Sequence, residues 1–167
     1  MHVMVVAGNP KPQSRTLQAA RLVAESLTPE ATITEVDVVT LGPGLLGWGN
    51  ATVRAAVDAV SGTDLAVFAS PTFKATYTGI MKLFLDQFAT GDGLRDVVAV
   101  PLMLGAGPTH AMAPDLLLRP VLSELGAVCP STGLYLQEST FTTDGKIGKF
   151  VERWGEALRH NIRRVRS

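Results

Sequence analysis

Residues 3–27 read VMVVAGNPKPQSRTLQAARLVAESL, and the fold is decided there. Val3 to Ala7 is a β-branched apolar run of strand length. Gly8 to Ser14 is polar and carries two prolines, Pro10 and Pro12. Leu17, Ala20, Val23 (or Ala24) and Leu27 then recur at the spacing of one helix face. Strand, loop and helix in this order open a crossover unit, the connection that parallel strands require.

The same alternation continues along the chain. Thr32–Thr40 alternates as a half-exposed edge strand does, and Asn50 is placed to cap a helix running to Val60. Leu65–Ala69 is a buried strand, and Thr78 is placed to cap a helix over 78–89. Val97–Leu104 is the fourth apolar run, and a helix follows from about Ala113 to Leu125, stopped by Gly126. Ala127–Leu136 is expected to hold the fifth strand, with a last helix from about Asp144. Five strands alternating with five helices make a parallel sheet covered on both faces, and five favour the order 2-1-3-4-5. Pro101 and Pro130 fall inside the fourth and fifth strands, where each deletes a ladder donor. A bulge or a local edge is expected at both.

Composition narrows the class. The 167 residues suit a single domain over 1–167, which buries roughly 70% of its unfolded surface. Fifteen Lys and Arg balance fifteen Asp and Glu, which argues against nucleic acid as a partner and against an acidic carrier docking through its field. One cysteine, Cys129, forms no internal disulfide or zinc cluster and reads as a core residue. The N-terminus lacks a signal-peptide core and no apolar stretch approaches the ~20 residues that span a bilayer, so a soluble cytoplasmic protein is expected.

In such a sheet ligands gather beyond the carboxyl ends of the strands, where the winding reverses. Three loops qualify: 8–16, 71–77 and 105–110. The first offers Asn9, Ser14 and Thr16 as short hydrogen-bonding side chains, Lys11 and Arg15 as cations, and a helix start. A phosphate monoester matches that set, and a solvated turn with a capped helix accounts for it equally. The second, from Pro71 through Thr72, Phe73 and Lys74 to Tyr77, sets two aromatics around small residues. It suits a planar ring, or local packing of Phe73 and Tyr77. In the third, Gly105, Ala106 and Gly107 would let a flat ligand approach the backbone, and His110 is read as a packing or helix-start residue when taken alone.

A decoy sits at 42–47, GPGLLG, which matches G-x-G-x-x-G. Trp48-Gly49-Asn50 prolongs the loop, so the last glycine opens no helix, and Asp64 precedes the next strand instead of ending it. An irregular surface or interface loop is expected instead of a dinucleotide turn.

The segments VVAGNPKPQSRT (5–16), ASPTFKATYTGIMKLFLDQF (69–88) and LGAGPTHAMAPDLLLRPVLSELGA (104–127) resemble the NADPH-dependent FMN reductase family, a flavodoxin-like three-layer sandwich. The second segment is the most specific, and the third is similar to the type that supplies reduced flavin to two-component alkanesulfonate monooxygenases. Beyond residue 136 the likeness fades. The resemblance implies FMN as cofactor and NADPH or NADH as electron donor. It implies that Asn9, Lys11, Ser14, Arg15 and Thr16 hold the FMN phosphate. Pro71, Thr72, Phe73 and Lys74 would border the isoalloxazine and ribityl chain, and Gly105, Ala106, Gly107 and His110 the ring's other edge. Serine usually stands where this chain has Asn9, and arginine is commoner at Lys11. Lysine cannot fork onto two phosphate oxygens, which would lower affinity.

Pro120 in helix 113–125 lacks an N–H and meets the carbonyl of Leu116, so a kink or π-bulge is expected there. In the alkanesulfonate type a tyrosine looks characteristic of this position and accompanies flavin release; Leu116 cannot stack or donate as tyrosine does. The resemblance therefore leaves a tightly bound flavin open, and Leu116, Leu117 and Leu118 could instead cover a neighbouring subunit.

No catalytic dyad is needed, since hydride transfer from nicotinamide to flavin relies on stacking. Two rivals remain: an NAD(P)H:quinone or azo reductase holding FMN tightly, and a flavodoxin-type electron carrier. Helix 78–89, apolar on more than one face through Ile80, Met81, Leu83, Phe84, Leu85 and Phe88, points to a homodimer or homotetramer. Asp86 within it is expected to be a buried structural carboxylate. Nearly half of the positive charge lies in Lys146, Lys149, Arg153, Arg159, Arg163, Arg164 and Arg166, read mostly as a solvated helix face.

Overall fold

The structure is a computed structural model that describes residues 1–165; Arg166 lies outside the described residues. Five parallel strands, β1 (His2–Ala7), β2 (Thr32–Asp37), β3 (Leu65–Pro71), β4 (Val98–Gly105) and β5 (Leu134–Gln137), stand in the order β2-β1-β3-β4-β5. This is the flavodoxin-like order expected from the sequence. The helices are α1 (Arg15–Leu27), α2 (Ala51–Ser61), α3 (Gly79–Leu85), α4 (Arg119–Glu124) and α5 (Lys146–Val165).

Strand periodicity assigns the layers, because successive side chains point to opposite faces. Val3, Val5 and Ala7 of β1, with Leu65, Val67 and Ala69 of β3, pack beneath α1 and α5. Met4, Val6, Ala66 and Phe68 face the other way, towards Val53, Met81, Phe84 and Leu122. β3 and β4 are buried throughout, while β2 at the edge is only half covered.

The caps at Asn50 and Thr78 are where the sequence places them, and a third stands at Ser14. Ser14 Oγ accepts from Leu17 N–H, Asn50 Oδ1 from Thr52 and Val53 N–H, and Thr78 Oγ1 from Met81 N–H. At the end of α4, Gly126 takes φ +93°. Its N–H bonds Ser123 O and that of Ala127 bonds Leu122 O, the paired bonds of a glycine-terminated helix. The segment 42–47 opens no helix: Val38–Leu46 is a tight 3-10 stretch kinked at Gly42, and α2 begins only at Ala51. The basic final helix is largely a solvated face. Arg159 also reaches across to the Leu27 carbonyl at the end of α1.

Four expectations are corrected. The fifth strand does not run over 127–136. Val128 makes an isolated bridge to Val98, the chain leaves the sheet at Cys129–Gly133, and β5 occupies only Leu134–Gln137. Pro130 therefore lies outside the strand, and Cys129 is a half-buried loop residue packed against the second core. The same gap explains Pro101. Residues 99 and 105 of β4 bond towards β5, and by alternation so does position 101, where no strand stands to receive a donor. It is a local edge, as expected.

Next, α3 ends at Leu85 instead of residue 89, because Gln87 and Phe88 bond back three residues, to Phe84 and Leu85. Third, Asp86 is not buried; it is exposed and ion-paired with Lys82 one turn back, at 2.5 Å. Fourth, of the three leucines suggested to cover a neighbour, Leu118 is fully buried, whereas Leu116 and Leu117 are exposed. The disruption around Leu116 does occur. Pro114–Leu118 is a π-turn closed by Arg119 N–H on the Pro114 carbonyl. The wider turn lets the chain pass Pro120 without the clash a regular helix would impose.

Candidate functional site

The three loops converge at the carboxyl end of the sheet, flanking β1 and β3, where the strand order reverses. They are tied to one another by hydrogen bonds. Gly8 N–H bonds Ala69 O at 2.8 Å, and the Thr78 hydroxyl donates to Gly8 O at 2.5 Å, joining the first loop to the second. Thr72 N–H donates to Leu104 O at 2.6 Å, joining the second to β4. Arg15 Nη1 donates to Glu138 O at 3.1 Å, and Glu138 N–H in turn donates to Gly105 O, joining the first to the third. All thirteen site residues read from the sequence lie on this rim.

In the first loop, Asn9 Oδ1 accepts from Lys11 N–H at 2.9 Å while its amide nitrogen donates to Thr16 Oγ1 at 2.9 Å. Among the described residues the N–H groups of Arg15 and Thr16, the first turn of α1, bond no protein acceptor. They carry the positive end of a 13-residue helix. Neither Lys11 nor Arg15 pairs with a carboxylate among the described residues. Such backbone donors, beside two cations unpaired with any carboxylate among the described residues, suit an anion.

The second loop is a tight hairpin. Phe73 and Thr76 exchange both backbone bonds, and Lys74 and Ala75 between them have φ of +51° and +70°. Two non-glycine residues in the left-handed region are strained, and such strain gathers at functional sites. The turn projects Phe73, which is 51% exposed, with Lys74 beside it. Thr72 Oγ1 is buried without a hydrogen-bond partner.

In the third loop the reason for Gly105 differs from the one expected. A Cβ there would lie 1.9 Å from the Tyr135 hydroxyl, so the smallness of Gly105 makes room for Tyr135. Tyr135 donates to Gly107 O at 2.7 Å and props the loop from beneath. Ala106 is exposed, and nothing approaches a Cβ placed on Gly107, so that backbone is open to a flat molecule. His110 ends a short 3-10 turn, Pro108–His110.

Sequence reasoning missed Tyr135, the Glu138 carbonyl and Asp37. Asp37 ends β2 beside Ala7 and accepts from Gln13 N–H at 2.8 Å. None stands in a recognisable motif, and their signal is purely tertiary. Two clefts, of about 410 and 350 Å3, lie elsewhere, along Trp48–Arg54 and Lys82–Leu125. Neither is lined by residues of the three loops.

The chain matches the profile of the NADPH-dependent FMN reductases over residues 1–141. It belongs to the NADPH-dependent FMN reductase family. An FMN reductase (NADPH) of Pseudomonas aeruginosa is 30% identical over 149 residues, covering 83% of this chain and 78% of the relative. The NADH-dependent FMN reductase SfnF of Pseudomonas putida is 28% identical, covering 84% and 80%. Among solved structures, the apo form of the NADH:FMN oxidoreductase EMOB superposes with a TM-score of 0.83 at 27% identity, over 98% of this chain and 89% of that one.

The chain is thus an oxidoreductase of the FMN reductase family, whose reactants are FMN and a reduced nicotinamide nucleotide. Its residues fit FMN on structural grounds. The free helix-start donors suit the phosphate, and the orphaned Thr72 hydroxyl and open Gly107 backbone suit a polar, planar ring system.

Proposed function

We propose that this chain reduces FMN with NADPH or NADH, holding the flavin across the three-loop rim. Asn9, Lys11, Ser14, Arg15 and Thr16 receive the phosphate. Pro71, Thr72, Phe73 and Lys74 border the ring and ribityl chain, and Gly105, Ala106, Gly107 and His110 lie along the other edge of the ring. The observation that carries this reading is the start of α1, where Arg15 and Thr16 N–H groups lack protein acceptors beside two unpaired cations. FMN, when bound, supplies the hydride-accepting ring; the protein positions it and leaves one face open.

Relatives are named for both donors, which supports an NAD(P)H reading. The resemblance of residues 104–127 supports delivery of reduced flavin to a flavin-dependent monooxygenase. Among the described residues no helix is long and apolar enough to cross a membrane. Leu46, Trp48 and Leu83, exposed around one small groove, support association with a second copy.

Arg15→Ala tests the assignment. Losing the guanidinium is expected to raise the FMN dissociation constant about tenfold or more, with the protein still folded. An unchanged constant would remove Arg15 from the phosphate site. A purified protein that keeps FMN through gel filtration and shows ping-pong kinetics with quinone would favour the quinone reductase alternative.

A further inference from the structure

We infer that Asp37 is a positioning residue that shapes the first loop for a phosphate and so sets the preference for FMN over unphosphorylated flavin. This rests on the reading above, that the loop receives the FMN phosphate.

Gln13 has φ +52°, a left-handed conformation that a non-glycine residue adopts only when something holds it there. Its two neighbours cannot turn the chain in that way: Pro12 has a fixed negative φ, and Ser14 is extended with φ −76° and ψ 166°. The reversal that brings Ser14 into capping position, and sends Arg15 and Thr16 N–H groups out of the helix start, is therefore made at Gln13.

What holds it is Asp37. The carboxylate is 8% exposed, and its Oδ2 accepts the Gln13 N–H at 2.8 Å. Its Oδ1 has no hydrogen-bond partner. Gln13 thus gives this buried carboxylate its one side-chain hydrogen bond among the described residues, and releasing it would leave both carboxylate oxygens without a partner. Asp37 is itself fixed: it pairs in register with Ala7, and the Thr40 hydroxyl donates to its carbonyl at 2.8 Å.

The sign of the charge separates positioning from binding. A carboxylate beside a phosphate repels it, so Asp37 cannot serve as a ligand. Its contribution must come through the shape it imposes on Gln13. Neutral Asn at 37 keeps an acceptor for Gln13 N–H and removes the repulsion. Ala removes the acceptor. Glycine at 13 adopts positive φ without help.

The test measures dissociation constants for FMN and for riboflavin by quenching of flavin fluorescence, with thermal unfolding alongside. Asp37→Ala is expected to weaken FMN about tenfold and riboflavin by less than about twofold, since riboflavin has no phosphate to misplace. Asp37→Asn is expected to bind FMN as tightly as wild type or more tightly, even if its unfolding temperature falls. In the double variant Asp37→Ala/Gln13→Gly, the FMN constant should return most of the way to the wild-type value. Equal losses for the two flavins in Asp37→Ala, or an Asn variant as weak as the Ala variant, would overturn the inference. If Asp37→Ala does not fold, the Asn variant decides: FMN binding as tight as wild type supports the inference, and a loss of about tenfold for FMN overturns it. Wild-type protein that binds neither flavin overturns the functional reading itself, and this inference with it.

Discussion

The hydroxyl of Thr78 donates to the carbonyl of Gly8 at 2.5 Å while accepting the N–H of Met81 at 3.2 Å. One side chain therefore caps α3 and fastens the first loop to the second. The site is held together from beneath by such links, and the predictions below follow from them.

Thr78→Ala removes the cap and the inter-loop bond together. A cost of about 1–2 kcal/mol in unfolding free energy is expected, read by urea denaturation. A weaker FMN affinity should accompany it, and Thr78→Ser should restore both.

Gly8→Ala places a methyl 2.5 Å from Met81 Cβ and 2.9 Å from Met81 Cα. Neither atom is the far end of a flexible chain, so α3 must move away from β1. Overpacking of this kind costs about 1–3 kcal/mol, and the same denaturation experiment measures it.

Tyr135→Phe removes the hydroxyl that reaches Gly107 O. A loss of about 0.5–1.5 kcal/mol is expected, with faster amide exchange across 105–110. Gly105→Ala should cost more, because its Cβ would collide with the same hydroxyl. Combining the two changes should cost less than their sum, as it does for residues in contact.

Burial pushes the Cys129 thiol above its ordinary value of 9.0, against the opposing pull of the Arg119 charge. The fold favours the protonated form. That contribution is fully present below the ordinary thiol range and is lost as pH rises through the elevated folded value. Stability should therefore fall more steeply above about pH 9 for wild type than for Cys129→Ala. Thiol-reactive dyes should label the native protein slowly at about pH 8.

These predictions rest on features of unequal visibility in the sequence. The layers, the strand order and the caps at Asn50 and Thr78 were legible because each depends on periodicity or on neighbours within a few residues. The π-turn was legible because Pro120 forbids the carbonyl geometry of a regular helix four residues earlier. The break between Val128 and Leu134 was not, since an apolar run bounded by turn residues reads as one strand until the neighbouring strand is seen. Gly105 illustrates the subtler miss: the residue was singled out, but its reason is Tyr135, thirty positions away and invisible to local pattern. Asp37 likewise read as one position of an edge strand over 32–40, whereas β2 ends at it, and only the loop folding back over it reveals the bond to Gln13.

The central claim is that the three-loop rim makes this chain an NAD(P)H-dependent reductase of FMN. The most direct test follows the oxidation of NADPH and of NADH by purified protein as free FMN is added. The account predicts turnover that requires FMN, supplied or already bound, and that saturates as FMN rises. Protein that oxidises neither nucleotide at any FMN concentration would contradict it.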